Sequence, residues 1–333
     1  MNTFRSEVFP SLFSEKINYS DKVLFIGSCF AENIGSKLSE LKFPIQVNPL
    51  GIMYNPVSVL QSLVLILEGK KFEASDLEFY NEKWISFNHH GKFSSSDQLE
   101  VLKNMNDELI KASECIKKAS CLFITFGTSW VFKLKRTSKI VANCHKLPFN
   151  EFEHYSLSVQ DIKDLYGPLL ERIHRANEKL KIIFTVSPVR HWKNGPVQNQ
   201  YSKSVLIVAV NELIKEYKFA DYFPSYEIMM DDLRDYRFYA EDLFHPNQTG
   251  IDYIWGKFRD CYLTTKAIEI SVKVDKIVKS SKHRVFYPKT ESYKKFLANC
   301  LSMITELNVA YPELCFKKEI EYFEKEIELN FQK

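Results

Sequence analysis

The chain has no apolar run long enough to cross a bilayer. Its longest, residues 63–67 and 205–210, are five and six residues, against the roughly 20 that a spanning helix needs. No membrane span is expected. The first 22 residues carry neither an apolar h-region nor a small-residue cleavage site, which speaks against a secretory signal. Cysteines stand at 29, 115, 121, 144, 261, 300 and 315, an odd number without any Cys-x-x-Cys pair. That argues against a disulfide framework or a structural zinc site and for reduced thiols in a cytoplasm. Charge of one sign is also missing, since 45 Lys and Arg against 42 Asp and Glu leave a net +3. Nucleic-acid binders concentrate basic charge on one face, so no such partner is expected. There is no internal repeat and no long low-complexity linker.

What is present is a substantial core. The 333 residues, 45% hydrophobic and 14% aromatic, exclude disorder. They suit one large α/β domain with appendages or two smaller domains. Residues 23–26, Val-Leu-Phe-Ile, form a short apolar run between Asp21-Lys22 and Gly27, the look of a buried parallel strand. Apolar residues then recur at 30, 34, 38 and 41, the spacing of an amphipathic helix. Gly27-Ser28-Cys29 therefore sits at a strand tip and a helix start.

The same reading predicts strands at 45–47, 121–126, 181–186 and 221–223. It predicts helices near 57–69, 98–119, 159–178 and 200–217, and from Pro246 to about 262. Residues 1–22 read as an irregular lead-in. Residues 70–98, with Trp84, His89 and His90, read as an insertion. Strands alternating with helices indicate an open, mostly parallel sheet covered on both faces. From about 265 the chain turns Lys-rich and ends in a charged helical tail. The expected division is 1–264 for the α/β domain and 265–333 for a helical extension.

In such sheets ligands bind at the carboxyl ends of strands, and the polar clusters follow strands. At Gly27-Ser28-Cys29, the free N–H groups of a helix start can receive an oxyanion, and the same positive end lowers a thiol pKa. The bland reading is a glycine turn with a serine cap and a buried cysteine. In Asp242-x-x-His245-Pro246, the carboxylate can orient the ring and the ring can act as general base. The bland reading is a surface loop in which Asp242 caps a helix. Gly51 and Gly127-Thr128-Ser129 offer close backbone approach and hydroxyl donors, or are ordinary turns.

The order of the clusters resembles the GSCFA family, named for Gly27-Ser28-Cys29-Phe30-Ala31, which stands intact. Further matches are Asn48-Pro49-Leu50-Gly51 through Asn55-Pro56, Phe126-Gly127-Thr128-Ser129-Trp130, Asn143-Cys144-His145-Lys146, Thr185-Val186-Ser187-Pro188-Val189-Arg190-His191, Tyr222-Phe223-Pro224-Ser225 and Tyr236 through Pro246. The likeness covers roughly residues 20–260. It implies a branch of the SGNH (GDSL) hydrolases, with a flavodoxin-like three-layer fold and ester cleavage.

Carried over by register, Gly27 matches the first-block glycine, Ser28 the aspartate and Cys29 the nucleophilic serine. Two positions thus depart from the pattern, so Cys29 or a shifted Ser28 is the implied nucleophile. Gly51 matches the second-block glycine. Ser129 stands where an asparagine donor is usual, which weakens that part of the oxyanion site. Asp242 and His245 match unchanged. The implied function is an acyl hydrolase or acyltransferase on an ester or thioester of a small molecule or carbohydrate. The alternative is an inactive module that binds a carbohydrate or acylated ligand. No cofactor is expected. His89, His90, Cys144, His145 and His191 lack ligand spacing such as His-Glu-x-x-His, so no metal is expected. His89, His145, Lys146 and Arg190 are candidates to hold an anionic or polyhydroxyl substrate. The alternating charges of the C-terminal helices can serve a docking partner, and more simply form a solvated face.

Overall fold

Strands of nearly unbroken apolar sequence can only sit where both sheet faces are covered, and the computed structural model, which describes residues 6–331, puts them there. Five parallel strands form the central sheet: β1 (Lys22–Gly27), β2 (Ile45–Val47), β3 (Ala119–Phe126), β4 (Lys181–Val186) and β5 (Ala220–Tyr222). Their order is β5-β4-β3-β1-β2. The chain leaves β1 toward β2 on one side and returns to β3 on the other. That reversal opens a crevice at the carboxyl ends of β1 and β3.

Alternate residues along the strands feed two separate cores. Leu24, Ile26, Leu122, Ile124, Ile182 and Phe184 pack with helices α2 (Pro56–Glu68), α3 (Gln98–Ile116), α4 (Val159–Ala176) and α5 (Gly195–Glu216). Val23, Phe25, Phe123 and Ile183 pack with α1 (Cys29–Glu40) and α6 (Gln248–Tyr262). The second core also takes in α7 (Thr265–Lys282), α8 (Glu291–Ala310) and α9 (Lys317–Phe331). The fold is therefore three layers, helix on sheet on helix, with C-terminal helices completing one outer layer.

The lead-in is tied down. Ile17 N–H donates to Tyr262 O at 2.7 Å and Thr264 N–H to Ile17 O at 3.0 Å. Its first five residues lie outside the described ones. The insertion is a hairpin of Glu78–Tyr80 with Lys83–Ile85, flanked by 3-10 turns. Helix α5 begins five residues before the expected 200, because Pro196 suits a first helical turn. A small antiparallel sheet of Trp130–Leu134, Lys139–Ile140 and Phe152–Ser156 was not legible in the sequence. Its strands alternate Lys, Glu and His with aromatics, so no continuous apolar run announces them.

Candidate active site

The turn from β1 to α1 is built by close backbone approach. Gly27 has φ +136, and a Cβ there would collide with the Thr125 carbonyl of β3. Only glycine fits such a place without strain. Its N–H donates to Asn48 Oδ1 at 2.8 Å, while Ser28 N–H donates to Thr125 O at 3.2 Å. Ser28 caps α1: its Oγ accepts from Phe30 N–H at 3.3 Å, and the residue is only 1% exposed. Cys29, the first residue of α1, stays partly exposed.

The expected fall of the thiol pKa is not what this environment produces. Burial pushes the Cys29 thiol up. The Lys203 charge and the N–H groups of Cys29 and Phe30 pull it down, Glu32 adds to the rise, and desolvation wins. The helix start favours the thiolate, but a partial charge of about half a unit does not offset removal from water.

Lys203 is the functional candidate that the sequence reading missed. It lies on α5 with no exposure at all. Its Nζ donates to Gly127 O at 2.8 Å and to Ser187 O at 2.7 Å. Those carbonyls follow β3 and β4, so one amine clasps two strand ends beside the crevice. Burial pushes its pKa down to about 7, against the pull of Cys29 and Glu227. The Glu227 carboxylate accepts the Tyr222 hydroxyl at 2.9 Å on either oxygen, and burial raises its own pKa.

The Asp-x-x-His turn closes on itself. Leu243 takes φ +62. Asp242 Oδ1 then accepts the N–H groups of Phe244 at 2.9 Å and His245 at 3.0 Å, while Oδ2 meets His245 Nδ1 at 2.6 Å. These donors hold the Asp242 carboxyl down at about 2. The ring is thereby fixed with Nε2 outward, the orientation a general base needs. Pro246 precedes the helix cap Asn247 rather than entering α6.

His245 and Cys29 share no hydrogen bond, and the His245 side chain is half-exposed, with Asp242 as its partner. The loop after β4 touches a neighbour of each. There the Trp192 ring packs on Phe244 at 4.9 Å and the His191 ring on Tyr54 at 6.0 Å. Burial raises the Tyr54 hydroxyl pKa, and a charge on Cys29 would raise it further.

Most of the other expected donors are committed elsewhere. Gly51 N–H donates to Asn48 O at 2.7 Å. Gly127 and Thr128 N–H groups both donate to Tyr54 O, at 2.7 and 3.0 Å. Ser129 N–H reaches Ser202 Oγ at 2.8 Å, and its hydroxyl sits in a buried set with Ser156 and Ser202, at 2.8 and 3.0 Å. Thr128 Oγ1 joins that set through Ser202 at 3.1 Å. These hydroxyls hold the strand end, and the N–H of Cys29 is what the helix start offers an oxyanion.

His145 Nε2 meets Ser86 O at 2.9 Å and pins the insertion. His89 is buried between Phe72 and Phe93, meets Ser86 Oγ at 3.0 Å, and is held neutral with its pKa down to about 3. His90 covers Gly51. Lys146 lies in the turn after His145, both at positive φ. Among the described residues no group of three or more His, Cys, Asp or Glu is placed to hold a metal. Arg190 follows β4 and borders a cavity of about 190 Å³ that also reaches Leu243 of the Asp-x-x-His turn.

The family model described as the GSCFA family matches residues 22–258. A second, described as the C-terminal domain of GSCFA domain proteins, matches residues 274–329. No curated protein matches in sequence. Among solved structures the chain is similar to a carbohydrate esterase family 3 protein from Talaromyces cellulolyticus. Identity is 8% and the TM-score 0.34, over 78% of this chain and 98% of that one. It is also similar to the acetyl xylan esterase Est2A from the rumen bacterium Butyrivibrio proteoclasticus. There identity is 12% and the TM-score 0.37, over 73% of this chain and 63% of that one.

Proposed function

Since the chain belongs to the GSCFA family, we propose that it is an acyl hydrolase or acyltransferase that works on an ester or thioester through Cys29. One observation carries the reading: at the β1–α1 turn Ser28 is sealed as a helix cap while Cys29 stays partly exposed. The substrate class that suits it is a small-molecule or carbohydrate acyl donor.

The Cys29 sulfur attacks the acyl carbon and its proton passes to a base. The carbonyl oxygen gains negative charge beside the N–H of Cys29 at the positive end of α1. The leaving alkoxide or thiolate takes the proton back, and water or an acceptor alcohol or thiol then resolves the acyl-thioester. A thiol that burial keeps neutral makes the base indispensable. His245, held by Asp242, is the first assignment. It requires residues 187–194 and the Asp-x-x-His turn to bring the ring to the sulfur once substrate binds, as catalytic hydrogen bonds often do.

Lys203 favours a second assignment of the base. A neutral amine has two N–H donors and one lone pair, and two carbonyls already take the two donors. With its pKa near 7, the lone pair is available at neutral pH, the logic of serine–lysine enzymes.

The test is turnover of short-chain acyl esters and thioesters by wild type, Cys29→Ala, Ser28→Ala, His245→Ala and Lys203→Met. Cys29→Ala is expected to lose turnover and Ser28→Ala to keep it. The variant lacking the base should fall by roughly 100- to 10,000-fold. Equal rates in wild type and His245→Ala transfer the base role to Lys203. A wild type inert on the whole panel rejects the enzyme reading and leaves a binding module.

A further inference from the structure

Arg190 is a half-buried cation without a carboxylate among the described residues. Its Nε is buried with no hydrogen-bond partner, and its Nη2 reaches only the Met230 sulfur at 3.6 Å. A guanidinium normally satisfies its fork of donors with planar anions, and an orphaned buried donor is costly. The other charges around this cavity are already paired. Arg234 holds Asp231 at 2.5 Å. Asp235 accepts Arg237 N–H at 2.9 Å and lies 3.8 Å from the Arg237 guanidinium.

The remaining walls are Met229, Met230, Tyr236, Tyr239 and Leu243. They are apolar or aromatic, and Leu243 belongs to the turn that holds His245. From this juxtaposition we infer that the cavity is a subsite for a carboxylate carried by the substrate, with Arg190 as its binding residue. A carboxylate is preferred over phosphate because a single unpaired guanidinium matches one negative charge. The surrounding walls would receive the carbon skeleton next to it. The choice of substrate, but not the binding of an anion, rests on the acyl-transfer reading above.

Two measurements separate the two ideas. The first compares S-glutaryl- and S-valeryl-N-acetylcysteamine, matched in length and differing by a carboxylate, after subtraction of enzyme-free rates. Wild type should favour the glutaryl thioester in kcat/KM by about tenfold or more, the size of a charge-assisted hydrogen bond. Arg190→Gln should bring that ratio close to one, and Arg190→Lys should restore part of it. A wild-type ratio of one, or the same ratio in Arg190→Gln, overturns the subsite.

The second measurement is calorimetric titration of glutarate, glutaramide and inorganic phosphate into wild type and Arg190→Gln. It needs no turnover. Glutarate binding that exceeds the other two and weakens in Arg190→Gln supports the subsite even if both thioesters are inert. No glutarate binding to wild type, or tighter binding of phosphate, overturns it.

Discussion

Lys203 is a side chain whose chemistry the fold changes strongly. A buried ammonium is expensive, and this one is retained with two carbonyl partners. Its charge and that of Cys29 act on each other. Removing the amine in Lys203→Met should therefore raise the apparent pKa of Cys29 alkylation by iodoacetamide, followed on the Cys29 peptide by mass spectrometry. An unchanged profile would separate the two residues. Stability carries the same signature. Between pH 7 and the usual 10.5 the unfolded lysine is protonated more than the folded one, whose pKa lies near 7. Stability therefore falls as pH drops through that window and levels off below 7. Lys203→Met should abolish this slope in urea titrations. No sequence pattern pointed here: Lys203 stands in the polar stretch Gln200-Tyr-Ser-Lys-Ser204, and only the packing of α5 against the ends of β3 and β4 buries it. Asp242 and His245 were legible, because three-residue spacing in a turn suffices to join a carboxylate and an imidazole.

At the scale of elements, the sheet was readable wherever a strand is apolar on both faces, as in Cys121-Leu-Phe-Ile-Thr-Phe126. The clamp over the second strand was not. Its parts, Gly51 and His90, meet only because the insertion folds back, with His90 N–H donating to Leu50 O at 2.9 Å. Gly51 has φ +89, and a Cβ there would run into His90. Gly51→Ala should therefore cost about 1–3 kcal/mol from strained backbone and overpacking together, read as a lower urea midpoint. Hydrogen exchange should show residues 86–93 losing protection before the central strands do. An unaltered midpoint would mean that the insertion gives way freely and is no clamp. The same contact explains why Gly51 supplies no spare N–H: the turn that brings it under His90 spends that donor on Asn48.

For the molecule as a whole, the question is whether residues 265–331 decorate the α/β unit or complete it. The charged tail suggested decoration, yet apolar residues recur every three or four positions in α7 and α8 and sit, with Phe323 of α9, in one cluster with the sheet. Val274, Leu297, Ile304 and Phe323 pack there with Phe25, Phe123, Ile34 and Phe258. Lys42, just past α1, pairs with Glu319 of α9 at 2.7 Å. The face of α1 is thus held from behind by the C-terminal helices, and α1 begins at Cys29. Phe323 is 0% exposed, so Phe323→Ala leaves a cavity that should cost about 3–5 kcal/mol. If the core is continuous, the loss appears as one cooperative urea transition shifted to lower denaturant, with tryptophan fluorescence and Cys29 alkylation moving together. If the tail is an independent layer, the variant instead shows an early separate step and Cys29 stays protected through it. The shared cluster requires the first outcome, because unpacking α9 removes the wall against which α1, and with it the β1–α1 turn, is set.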